Sequence, residues 1–119
     1  MFRSQKEMKC QVFDNCHDGV GAVNCRHVIE GSDSELGFNF MHDDSVEPGA
    51  SIGQHVHNGT EEIYYLLEGN GIMIMDGEEI SMSKGDVSLV KSGHSHGLVN
   101  TGDLPMRLLV IECGKKPCD

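Results

Sequence analysis

The sequence contains no tryptophan, only two tyrosines and four phenylalanines, and three prolines in 119 residues. With so few rings, the core must be assembled from Val, Ile, Leu and an unusually large share of the seven methionines. Basic residues are also scarce: nine Lys and Arg stand against 19 Asp and Glu, a formal charge of −10. No cluster of Lys or Arg could neutralise a row of phosphates, which argues against nucleic acid and against an anionic membrane surface as partners. No apolar run approaches the length of a membrane span, and the opening MFRSQKEMKC is too polar for an export signal. The expectation is a soluble, cytoplasmic protein. Its length fits one domain over residues 1–119, with an N-terminal arm to about residue 30, a core to about 112 and a polar, frayed tail over 113–119.

No C-x-x-C pair occurs among the five cysteines, Cys10, Cys16, Cys25, Cys113 and Cys118. An odd number without an export signal reads as reduced thiols. Three of them share the first third of the chain with His17 and His27, a set that would suit zinc, but the irregular spacing favours free structural thiols.

Glycine, by contrast, is abundant: 15 residues fall singly between short apolar runs, a pattern of many turns. Strands are expected at Gly37–Met41, Ser51–His57, Glu62–Leu67, Ile72–Met75, Glu79–Met82, Asp86–Val90, His96–Asn100 and Met106–Glu112. Asn58-Gly59 and Asp76-Gly77 are hairpin signals, and Glu47-Pro48-Gly49, Gly69-Asn70-Gly71 and Gly102-Asp103 read as turns. Val20–Ile29 reads as one or two strands and Ser4–Met8 as a short helical turn. Regular short strands with almost no helical periodicity indicate an all-β sandwich or closed barrel.

His55 and His57 lie two apart on an expected strand, so their rings share a face. The Asn58-Gly59 turn then returns the chain, and Glu62 opens the next strand. Such a hairpin can set a carboxylate beside two imidazoles, a donor set that suits Zn, Ni, Fe, Mn or Co. A single His-x-His is equally compatible with two solvated histidines, and Glu61 competes with Glu62 for the carboxylate position.

The wider spacing adds a sharper signal. Gly49, His55, His57, Glu62 and Gly69 are separated by five, one, four and six residues. After 15 more residues, Gly85, Lys91, Gly93, His96 and Asn100 are separated by five, one, two and three. Together these resemble the two motifs of the cupin superfamily, G-x5-H-x-H-x3,4-E-x6-G and G-x5-P-x-G-x2-H-x3-N. The sequence is similar to the small single-domain (monocupin) members, and its one departure is Lys91 in place of Pro. The resemblance implies a double-stranded β-helix, a jelly-roll barrel of six to eight strands. It also implies one divalent metal ion held by His55, His57, Glu62 and His96. Small cupins are commonly homodimers, so a homodimer is expected.

Catalytic residues are less legible. Tyr64, two residues from Glu62, should share its face and could contact a substrate or simply fill the core. His94 reads as a rim histidine, and His27 could face the interior as a proton shuttle. Met41, Met73, Met75 and Met82 are expected inside, while His17 and His42 suggest only solvent exposure. A metal with open positions suits an enzyme acting on a small keto acid, hydroxy acid or sugar by Lewis-acid or O2 chemistry, that is, an isomerase, decarboxylase or dioxygenase. The same site would also suit a non-catalytic small-molecule-binding or sensory module, or a metal that only staples the barrel.

Overall fold

The computed structural model describes residues 1–114, which form ten strands and three single 3-10 turns. The strands are β1 (Cys10–Asp14), β2 (Ala22–Ile29), β3 (Phe38–Val46), β4 (Ser51–Val56), β5 (Thr60–Glu68), β6 (Asn70–Met75), β7 (Glu78–Ser83), β8 (Val87–Val90), β9 (Ser95–Val99) and β10 (Met106–Gly114). They pair antiparallel in two sheets, ordered β1-β2-β3-β10-β5-β8 and β4-β9-β6-β7. From β3 to β6 and from β7 to β10 the chain crosses between the sheets at every step, as in a jelly roll, so the all-β reading holds.

Several boundaries differ from expectation, each for a physical reason. Strand β3 runs on through His42-Asp43-Asp44-Ser45, a polar stretch whose partners on both sides complete its ladder. Val20–Ile29 yields one strand, β2, and Cys10–Asp14 adds an unanticipated edge strand beside it. Residues of the expected N-terminal arm thus extend the larger sheet. Asn70 and Gly71, read as a turn, instead pair with Ser83 and Met82. Cys113, expected in a frayed tail, belongs to β10 opposite Phe38 and Glu61. The remainder of that tail, residues 115–119, lies outside the described residues.

The inner faces of the two sheets meet in one core, where Leu66, Leu98, Met106, Leu108 and Val46 are fully buried. Met73 and Met82 join it, and Met75 packs against it, whereas Met41 is only half-buried. Asn100 clips the end of the barrel: its Nδ2 donates to the Val46 and Leu104 carbonyls at 2.9 Å, and its Oδ1 accepts from the Gly102 N–H. Leu66→Ala should cost roughly 2–5 kcal/mol of unfolding free energy. Leu104→Ala, at a position 71% exposed, should stay within about 0.5 kcal/mol. Denaturant midpoints measured side by side check both.

Candidate metal centre

Two strands of the smaller sheet and one of the larger deliver the candidate ligands. In β4, Ile52 points inward (4% exposed) while Val56 points outward (57% exposed). Simple alternation from Ile52 would turn His55 outward. The pairing with β9 shifts register between Ile52 and His55, and this bulge reverses the parity so that His55 and His57 face the interior. The same register sets His55 directly opposite His96. Gly93 (φ +88°) turns the chain into β9, a left-handed conformation that glycine adopts without a Cβ penalty. On β5, Glu62 is 5% exposed and faces the same interior, whereas Glu61 is exposed on the opposite side.

Four donor atoms converge there. His96 Nε2 lies 3.1 Å from both His55 Nε2 and His57 Nε2. Glu62 Oε1 is 3.1 Å from His96 Nε2 and 3.4 Å from His57 Nε2. The Gly53 carbonyl accepts from His55 Nδ1 at 2.7 Å, so the proton of His55 sits on Nδ1 and a bare lone pair faces the cluster. His57 Nδ1 lies 3.0 Å from Thr60 Oγ1 and 3.4 Å from Glu112 Oε1, which favours the same tautomer. Four electron-rich atoms therefore share at most one proton. Donors bonded at about 2.0–2.2 Å to a common ion stand about 2.8–3.6 Å apart, from octahedral to tetrahedral geometry. The observed separations fit that range, and the group is able to hold a metal ion.

The surroundings keep these ligands in binding form. Burial, reinforced by neighbouring His17 and His96, pushes His55 down to about 4, so it is neutral at physiological pH. Burial opposes ionisation of Glu62, but the hydrogen bond to His96 and the three imidazoles outweigh it and hold the carboxyl below its usual range.

Beside the cluster lies a cavity of about 420 Å³ to which Glu62, Tyr64, Asp44, Phe40, Ile52 and Val110 contribute walls. Tyr64 is buried and stacks on His96, with ring centroids 4.6 Å apart. Burial and the Glu62 charge raise its hydroxyl well above the ordinary value, so it stays a proton donor. His94 stands elsewhere, exposed and held by Asp76 Oδ2 at 2.7 Å. His27 faces His42 at 4.6 Å and is outside the four-ligand group.

The expected solvent exposure holds for His17 but not for His42. His42 is half-buried on the cavity wall. His17 is exposed but stacks on His55, with centroids 3.6 Å apart and planes 12° apart. It is carried there by the tight turn Cys16–Asp18, in which His17 itself has φ +50°. That turn lies against Gly53, where any Cβ would strike the His17 carbonyl. Asp44 was not singled out either, because nothing in its sequence neighbourhood distinguishes it from Asp43. Elemental analysis of purified variants is expected to show metal lost from Glu62→Gln and retained by Glu61→Gln.

Comparison with known proteins agrees with this architecture. A family model described as the cupin domain matches residues 44–112. The chain is 30% identical to the oxalate-binding protein of Thermotoga maritima over 88% of its own length and 87% of that protein's. The crystal structure of a predicted oxalate decarboxylase from Thermotoga maritima matches with a TM-score of 0.90 and 29% identity, over 96% of this chain and 99% of that one. KdgF from Halomonas sp. matches at a TM-score of 0.75 with 18% identity, over 98% and 94% of the two chains, a likeness of fold alone. The ten-stranded jelly roll, its two motifs and these matches establish that the chain belongs to the cupin family.

Proposed function

We propose that the chain holds one divalent ion, of the Zn, Ni, Fe, Mn or Co type, through His55, His57, Glu62 and His96, and binds a small oxygenated acid beside it. The observation that carries this reading is the convergence of three Nε2 atoms and one carboxylate oxygen at 3.1–3.4 Å on the edge of a cavity of about 420 Å³. Similarity to a protein named for oxalate binding supports an acid with two neighbouring oxygens as the ligand class.

Four protein ligands leave one or two positions open on a six-coordinate ion. When bound, the ion supplies Lewis acidity, or redox chemistry if it is Fe or Mn. The chain's own residues do the rest. Phe40, Ile52 and Val110 give the cavity apolar walls that exclude water. Tyr64, stacked on His96 with its hydroxyl beside Glu62, fixes both ligands and keeps a proton available for hydrogen bonding. His17 covers the outer face of His55. This arrangement suits a metal-dependent enzyme of the decarboxylase, isomerase or dioxygenase kind. A non-catalytic binding module is the second reading, favoured by the relative's name. In thermal-shift titrations, oxalate should raise the melting temperature of metal-loaded protein and leave both the chelated protein and His96→Ala unmoved. Saturable binding with product release supports the enzyme, saturable binding without product supports the module, and no shift with any loaded metal overturns an oxalate-like ligand.

We further propose a homodimer. Sheet faces turned to water are ordinarily polar. Here the outer face of β5 and β8 pairs Tyr65 with Val87 and Ile63 with Leu89, and Tyr65, Val87 and Leu89 are 40%, 64% and 45% exposed. β8 is also an open edge of the larger sheet. Light scattering should return twice the chain mass, and Val87→Asp should return the monomer.

A further inference from the structure

A second set of side chains with metal-binding chemistry occupies the inner face of the larger sheet. Cys25-x-His27 on β2 and His42-x-Asp44 on β3 each place two residues on one face of their strand. The antiparallel register sets Cys25 opposite Asp44 and His27 opposite His42. Donor atoms of Cys25, His27 and His42 all lie within 4.8 Å of one another, and Cys25 Sγ is 3.9 Å from His27 Nε2. Asp44 flanks this trio on the side of His42 and outside its 4.8 Å circle, with Oδ1 4.0 Å from His42 Nδ1.

Asp44 supplies the independent sign that something binds there. It is 7% exposed, yet its Oδ1 has no hydrogen-bond partner among the described residues. A buried carboxylate oxygen without a donor is costly, and a cation beside it removes that cost. In a tetrahedral site with Zn–S about 2.3 Å and Zn–N about 2.0–2.1 Å, donors stand about 3.3–3.7 Å apart, so the trio has to contract around the ion and Asp44 has to swing towards it. Cys25, His42 and Asp44 also line the cavity that reaches Glu62, which gives an ion a way in.

We propose that Cys25, His27, His42 and Asp44 form a second cation site, separate from the His55 cluster. Its single sulfur, two imidazoles and carboxylate suit a borderline-soft divalent ion such as Zn(II), whereas the His55 cluster offers only nitrogen and oxygen. Burial raises both the Cys25 thiol and the Asp44 carboxyl, so the empty cluster keeps the thiol proton and, in part, a carboxyl proton; the incoming ion displaces them to solvent as the Cys25 sulfur–metal and Asp44 oxygen–metal bonds form. The inference does not depend on the proposed oxalate-like ligand or on catalysis.

Cobalt(II) distinguishes the two sites, because only thiolate ligation gives a sulfur-to-cobalt charge-transfer band in the near ultraviolet. Titration of the chelated, full-length protein should show two equivalents bound, one of them bringing the band. His96→Ala should lose one equivalent and keep the band; Cys25→Ser should lose the other equivalent together with the band. His27→Gln, at a half-buried position, should weaken the band-bearing site by roughly 10–100-fold or more without changing the unfolding midpoint of the metal-free protein. Uptake that stops at one equivalent with no band overturns the site. So does a band that survives Cys25→Ser, or one whose titration His27→Gln leaves unchanged. A single equivalent that carries the band supports this site and removes the His55 cluster instead.

Discussion

A β-strand shows its side chains to alternate faces, and in a barrel of two sheets that parity decides which residues become core and which become site. Everything at the candidate metal centre depends on one interruption of it. Strand β4 buries Ile52 near its start, and His57, the residue just past its end, is buried as well; the two are five positions apart and would face opposite ways on a regular strand. The bulge between Ile52 and His55 absorbs the extra residue. The bulge therefore lets one short strand seal the core with an aliphatic side chain and still aim two imidazoles inward. Gly53 lies within it, and its missing Cβ admits the Cys16–Asp18 turn that stacks His17 on His55.

The second constraint is electrostatic. A chain with formal charge −10 places two buried carboxylates, Glu62 and Asp44, in the wall of one partly apolar cavity. Their surroundings drive them in opposite directions. Glu62 has three imidazoles beside it and is held ionised against the cost of burial. Asp44 faces a thiol and lies within the fields of Glu62 and Asp43, and burial together with those charges raises it to about 7. Burial also lowers His42 to about 4, so it cannot serve as a protonated partner for Asp44 at neutral pH. One carboxylate is thus matched to its neighbours and the other is not. The mismatch on the β2–β3 face makes that cluster a place for an added cation.

The folding of the first 30 residues ties these features together. Strand β2 supplies Cys25 and His27, and the turn between β1 and β2 supplies Cys16 and His17. A barrel built only from the motif-bearing strands would leave the cavity open on that side. The added segment closes it and brings in both lining cysteines, Cys16 and Cys25, and one of the two lining histidines, His17.

Much of this was legible from one dimension. The alternation of short apolar runs with glycine turns specified an all-β chain. The spacing of Gly49, His55, His57, Glu62, Gly69, Gly85, Gly93, His96 and Asn100 identified a cupin-like pair of motifs, because those residues act through local turns and through i, i+2 placement on a strand. Tertiary structure alone decided the rest. Periodicity could not choose between Glu61 and Glu62 on a strand apolar on both sides; the spacing to Gly69 pointed to Glu62, and the packing of β5 turns that residue inward. The continuation of β3 through four polar residues depended on β2 and β10 pairing with both of its edges. His17, His42 and Asp44 gained their roles from His55, His27 and Cys25, neighbours distant in the chain. The sequence by itself determined which side chains could carry chemistry; the pairing register, one bulge and the cost of burial decided which of them meet. Such contacts are energies between distant segments, and no local pattern encodes them.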